Sequence, residues 1–242
     1  MFQQLDSFFQ QHFAFCAGKF GPGPLPGATA HACTDLLAED GFDAILAHYS
    51  ARNADIDRRA VLSVWSMYLF SHLSISPVVL WLMFRQRVAL EPGNLGLCLD
   101  AETGLPSKII VTIPDALVSP ADMTVHEAMS GLVFDCATPL VERLAREGLS
   151  PRLLWSNFAV YVDWIVRAIG DRIDPDLGRE GLSMLDCAIW PDGRPNPMHG
   201  LLSRVVPDDG EAFTRRRVCC LRYLLPGTPG CGMICPLPSG RA

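Results

Sequence analysis

No H-E-x-x-H pair, no G-x-S-x-G elbow, no Walker loop and no G-x-G-x-x-G between a strand and a helix occurs in the chain. These patterns carry metal-assisted hydrolysis, serine nucleophiles and phosphate or dinucleotide binding, so a hydrolase or a nucleotide-binding enzyme is not expected. The G-x-G at Gly21 and Gly23 follows no strand and sits among prolines that remove amide donors, which makes it a loop. Charge is scarce: 19% of the 242 residues are Asp, Glu, Lys or Arg, against 49% hydrophobic. That supply of apolar side chains fills the core of one large domain or two small ones. Basic surplus is missing as well, since a net charge of -6 and a pI near 5.5 argue against a nucleic-acid partner. Residues 1–20 hold Gln, Asp6 and His12 where a signal peptide would keep an unbroken apolar run. A cytoplasmic protein is therefore expected. Nine cysteines, an odd number, agree with a reducing compartment. Five of them (Cys16, Cys33, Cys98, Cys136, Cys187) stand alone in apolar surroundings and read as small buried hydrophobes.

Periodicity supplies the elements. Phe2, Leu5, Phe8, Phe9 and Phe13 recur at helical spacing on one face, and the Pro- and Gly-rich residues 21–27 end that helix in a loop. A second helix is expected over 34–49, with Ala44, Ile45 and His48 on one side and His48 a satisfied surface group. Residues 60–84 carry no charge and are long enough to span a bilayer. Their serines and Pro77 favour instead two buried helices, 58–73 and 77–87, with peripheral membrane contact as a further possibility. Runs at 96–100 and 108–113, joined through Gly104 and Pro106, predict an antiparallel hairpin. Helices follow over 127–147, interrupted at Pro139, and over 151–169. The second opens on Ser150 and Pro151, closes at Gly170, and has Leu154, Phe158, Tyr161 and Ile165 on its apolar face. In this reading Asn157 and Trp164 point elsewhere. A last helix runs from Asp174 to near Trp190, before a Pro-rich stretch, 191–197.

The chemistry concentrates at the end of the chain. Cys219, Cys220, Cys231 and Cys235 are spaced C-C-x10-C-x3-C among Gly and Pro turns. Four thiolates so gathered make a soft site suited to an iron–sulfur cluster, zinc or copper(I). An adjacent pair is unlike the paired knuckles of structural zinc and suits a two-iron cluster, while disulfides or free thiols remain further alternatives. Arg215, Arg216, Arg217 and Arg222 flank the cysteines, either as solvated charge or to tune a cluster or contact an anionic chelate or an acidic donor protein.

The Cys-Cys pair followed by Arg222 and Tyr223, the ten-residue gap and the closing Cys235-Pro236 resemble the C-terminal [2Fe-2S] motif of the FhuF-like ferric-siderophore reductases. The block from Leu149 to Ala159, with Leu154-Trp155 and Asn157, is similar to that family's helix signature. One departure is the final C-x3-C, where the family pattern ends C-x2-C. The resemblance implies a ferric-siderophore reductase with a [2Fe-2S] cluster on the four cysteines, acting on a ferric siderophore, in the first place of hydroxamate type. It would need an external electron donor such as a ferredoxin or flavin reductase, and would release iron in the cytoplasm, with association at the inner membrane face possible. The class-different alternative is a non-catalytic, zinc-stapled protein that binds a siderophore or a partner. The expected fold is α+β: a mostly helical body over 1–205 with the hairpin near 96–113, and a cluster-binding segment over 206–242.

Overall fold

The computed structural model describes residues 1–237; the end of the expected 206–242 segment, 238–242, lies outside the described residues. The chain forms α1 (Phe2–His12), β1 (Phe20–Gly21), β2 (Thr29–Ala32), α2 (Glu39–Ala51), α3 (Arg58–Phe84), β3 (Leu95–Leu99) and β4 (Pro106–Val111). It continues through α4 (Val125–Ser130), α5 (Thr138–Ala145), α6 (Pro151–Arg172), α7 (Pro175–Asp186), β5 (Leu202–Val205) and β6 (Phe213–Arg216). The α+β class is as expected.

Helix α3 is the axis of the body and corrects one expectation: it is a single helix that runs straight through Pro77. A proline inside a helix forfeits one hydrogen bond and costs about 3 kcal/mol. Here that cost is outweighed because most of the helix is buried, with Trp65, Phe70, Val79 and Leu80 at no more than 0% exposure. Asp57 caps its start by accepting from the Arg59 amide. Its end is held by Glu180, which accepts from Trp81 Nε1 at 3.0 Å and Arg85 Nη2 at 2.7 Å and so fixes Arg85 in a left-handed conformation, φ 53°. The helix is long and apolar enough to cross a membrane, yet 72% of its most apolar window is buried within the fold.

Helix α6 packs along α3, and α7 along α6. The α6–α7 approach is so close that a Cβ added to Gly178 would lie 2.5 Å from the Gly170 Cα. Gly170 is therefore a contact residue and not the end of α6, which continues to Arg172. Ser150 occupies the expected cap position without a side-chain cap bond, and Pro151 starts the helix. The expected break at Pro139 falls earlier, as a π-helical stretch over Gly131–Ala137 that absorbs the change of phase, so Pro139 lies harmlessly in the first turn of α5. Helix α7 ends at Asp186, short of Trp190. In the second helix the buried face is Phe42, Ile45, Leu46 and Tyr49; Ala44 and His48 lie outside it, and a 3-10 turn over Cys33–Leu36 replaces its expected first turn. His48 is satisfied at the surface by the Glu102 carbonyl, 2.8 Å away.

The β3–β4 hairpin is present, but it is the centre of a four-stranded sheet, ordered β1-β4-β3-β2, with β1 parallel to β4 and β2 antiparallel to β3. All five residues of β3 are buried, which requires cover on both faces. Two-residue β1 and the Ala-rich β2 show no alternating pattern, which is why they escape a reading of the sequence. A second hairpin, β5–β6, pairs Leu202 with Arg216 and Val205 with Phe213, so residue 205, the expected end of the body, lies within it. It delivers the chain to Cys219.

Candidate functional site

Beyond β6 the chain turns back on itself with little regular structure. Leu221 adopts φ 61°, a short 3-10 turn covers Arg222–Leu224, and another covers Gly232–Ile234. Gly232 at φ 59° opens the turn between Cys231 and Cys235, and Met233, the middle of the three intervening residues, is 57% exposed. The turn thus projects Met233 into solvent.

The turns bring the four cysteines into one neighbourhood. Cys220 Sγ lies 3.2 Å from Cys231 Sγ, and Cys219 Sγ accepts from the Leu221 amide at 3.4 Å. Cys235 is close enough to act electrostatically on both Cys219 and Cys231. Among the described residues no group of three or more His, Cys, Asp or Glu side chains is spaced to close on a single ion. The thiols differ in proton affinity. Cys220 is lowered to about 6, because Cys231 donates to it and Arg216 lies near. Cys231 is raised by making that donation, and Cys219 is raised by burial. Three of the isolated cysteines have no lowering like that of Cys220: burial pushes Cys16 and Cys33 up to about 12 and Cys136 well above its ordinary value.

A buried polar network anchors this loop to the helical core. Asn157 of α6, fully buried, donates from Nδ2 to the Ser63 carbonyl at 3.1 Å and to Ser66 Oγ at 3.0 Å on α3. Ser63 Oγ in turn donates to the Cys220 carbonyl at 2.7 Å. On its other side Asn157 Oδ1 accepts from Arg216 Nη1 at 2.6 Å. Arg216 is 2% exposed, and no carboxylate among the described residues pairs with it. Among the described residues its Nε finds no partner, nor do the buried Nε atoms of Arg215 and Arg222. Leaving a buried cation uncompensated is costly, and the two orphaned guanidinium donors beside the thiols, on Arg216 and Arg222, mark a place built for negative charge. The donor set and these orphaned groups fit a thiolate-ligated cluster, whose net charge is negative.

Against the same loop lies a cavity of about 570 Å³, within the range of sites for small molecules. Cys231 and Ile234 form part of its wall, and Arg216, Arg222 and Lys19 reach it. Tyr68 of α3, Tyr161 and Trp164 of α6 and Phe15 contribute aromatic faces, Phe15 lying against Trp164 at 5.4 Å between ring centres. Burial lowers His72 to about 4, assisted by the Lys19 charge, so this ring is neutral; its Nε2 donates to the Pro106 carbonyl at 3.1 Å. Burial raises Tyr161 to about 12, which keeps its hydroxyl protonated.

The structure thus sorts the residues singled out from the sequence. Cys219, Cys220, Cys231, Cys235, Arg216 and Arg222 come together. Arg215 lies in β6 over the Phe213 ring, and Arg217 is exposed beside a separate groove near Asp163 and His199. The reading that Asn157 and Trp164 point elsewhere is corrected: Asn157 ties the cysteine loop to α3, and Trp164 lines the cavity. A lone amide in an apolar helix was the available signal for Asn157. Nothing in the sequence marks Lys19, which reaches the cavity from the loop after α1.

Residues 63–211, more than half of the chain, match the family described as "Ferric iron reductase FhuF-like transporter". The matched span holds most of α3, all of α6 with Asn157, and stops before Cys219. No curated protein matches the chain. Among solved structures, an aerobactin synthetase, IucC, from a hypervirulent pathotype of Klebsiella pneumoniae is similar in fold at a TM-score of 0.50 and 14% identity. The likeness covers 72% of this chain and 37% of the synthetase chain, so this chain spans little more than a third of that protein.

Proposed function

The chain belongs to the FhuF-like ferric iron reductase family, and from that premise we propose that it reduces siderophore-bound ferric iron by one electron and releases it as ferrous iron. Cys219, Cys220, Cys231 and Cys235 would hold a [2Fe-2S] cluster, which when bound supplies a one-electron carrier. The observation that supports this most is the shared wall: Cys231, buried Arg216 and the aromatic cavity meet at one place.

The chain's own groups then have definite tasks. Asn157 and Ser63 hold the Cys220 backbone, and Arg216 places a positive charge near Cys219, Cys220 and Cys231 that favours their thiolate forms. The cavity seats the chelate beside Cys231. Ferric iron is hard and held tightly by oxygen donors, whereas ferrous iron is softer and held weakly, so one electron is sufficient for release. No acid–base residue has to act on the iron. The donor is an external one, a ferredoxin or flavin reductase, and the place of action is the cytoplasm or the inner face of its membrane. Anaerobically purified protein is expected to carry two irons and two sulfides, absorb visible light, and be reoxidised by a ferric siderophore after reduction with dithionite. Stoichiometric zinc without visible absorption would overturn this and leave a zinc-stapled binding protein.

A further inference from the structure

Among the described residues three cations face the cavity beside Cys231, and no carboxylate lines it. Lys19 arrives from the loop after α1, Arg216 from the end of β6 and Arg222 from the cysteine loop, so separate parts of the chain converge on one positive site. None of the three forms an ion pair with a carboxylate among the described residues, although seven other arginines do. In a chain of net charge -6 this is a local reversal of sign. A semi-enclosed site with low-dielectric walls focuses such a field.

We propose that the cavity selects a negatively charged ferric chelate, of the catecholate class before the hydroxycarboxylate class, over a neutral trihydroxamate. The proposal takes from the reading above that the ligand is a ferric chelate, and it revises the hydroxamate expectation. Ion charges decide the point. Three hydroxamates cancel the charge of ferric iron and leave the complex core neutral, whereas three catecholates leave a trianion and hydroxycarboxylate chelates are anionic too. A neutral chelate would leave Lys19 without a partner in a partly desolvated wall, while an anion pairs with it and shares Arg222 with the cluster. The preference for catecholate within the anions comes from the ring faces of Tyr68, Trp164 and Phe15, which offer offset or edge contacts to flat aromatic ligands.

The test separates binding from electron transfer by using gallium(III) chelates, which bind like the ferric ones without being reduced. Titration of the full chain, followed by tryptophan fluorescence or calorimetry, would compare a gallium tricatecholate, a gallium hydroxycarboxylate and a gallium trihydroxamate. The tricatecholate is expected to bind at least about tenfold more tightly than the trihydroxamate at low salt, with an advantage that shrinks as salt rises. Lys19→Gln and Arg222→Gln should each weaken the tricatecholate by about threefold or more and leave the trihydroxamate unchanged. A hydroxycarboxylate that binds between the two supports both the charge and the ring contributions. One that binds as tightly as the tricatecholate supports the anion site and removes the role of the aromatic faces. Equal or tighter binding of the trihydroxamate, or a preference indifferent to salt and to both substitutions, would overturn the proposal. A charge-ranked series in a protein that reduces no ferric counterpart would sink the reductase reading and leave the anion site standing; reduction of a best-bound trihydroxamate would do the reverse.

Discussion

Asn157 carries more of the site than any other uncharged side chain, because one amide reaches α3, Arg216 and, through Ser63, the Cys220 backbone. Asn157→Ala would take the Oδ1 acceptor from a buried guanidinium and the link to α3 from the cysteine loop, and is expected to cost about 2–3 kcal/mol in urea unfolding of the apo protein. It should also make cluster assembly less efficient; an unchanged unfolding midpoint would show that water replaces the amide freely. His72 gives a second residue-level expectation. Its folded value, lowered by burial to about 4, lies below the ordinary 6.5, so the unfolded chain binds the extra proton first. Stability is therefore complete above pH 6.5, declines as pH falls towards 4, and levels off about 3 kcal/mol lower. His72→Gln should remove that part of the pH dependence, which unfolding curves measured at several pH values would show. Single residues are also where the sequence was least informative. The four cysteines announce themselves by spacing, but Lys19, Tyr68 and Trp164 acquire meaning only from which cavity they reach, and that depends on contacts far apart in the chain.

Among the elements, the strongly periodic ones were legible: α1, α6 and the β3–β4 hairpin follow their apolar patterns closely. Two misreadings share one cause, which is that local breakers were given more weight than tertiary burial. Pro77 does not break α3, and Gly170 does not end α6, because burial along these helices offsets the local penalties. Gly170 and Gly178 are better understood as a pair that lets α6 and α7 approach closely. Alanine is the better helix former by about 1 kcal/mol, so propensity alone predicts that Gly178→Ala stabilises. The geometry predicts the opposite. A Cβ 2.5 Å from the Gly170 Cα has only backbone to displace, and the substitution is expected to destabilise by about 2 kcal/mol or more. Gly93→Ala, where a Cβ would meet nothing within 4 Å, serves as the control. Thermal unfolding of the two variants decides between propensity and packing.

At the scale of the whole molecule, the site is assembled across the family-matched body by segments from outside it. The loop after α1 brings Lys19 and Phe15, the C-terminal turns bring the cysteines, and α3 and α6 provide the floor between them. The sequence made the C-terminal contribution legible and hid the N-terminal one, since a lysine after a helix has no spacing to betray it. The same geometry divides the nine cysteines into two functional sets. Cys33, Cys98 and Cys136 are buried in the apolar body and Cys16 at the wall of the cavity, and burial holds the thiols of Cys16, Cys33 and Cys136 protonated. Cys187 is the strongest rival to the C-terminal set, since it lies 3.4 Å from His126 Nε2, but its thiol is raised by burial and no third ligand joins the pair among the described residues. Replacing Cys219, Cys220, Cys231 or Cys235 singly by Ser is expected to abolish or destabilise the visible absorption and the bound iron and sulfide. Alanine at Cys33, Cys98 or Cys136, chosen to avoid burying a hydroxyl, and serine at Cys187 should each leave iron and sulfide content intact. A loss at Cys187 comparable to that at Cys231 would move the cluster, and with it the proposed path of the electron, away from the aromatic cavity.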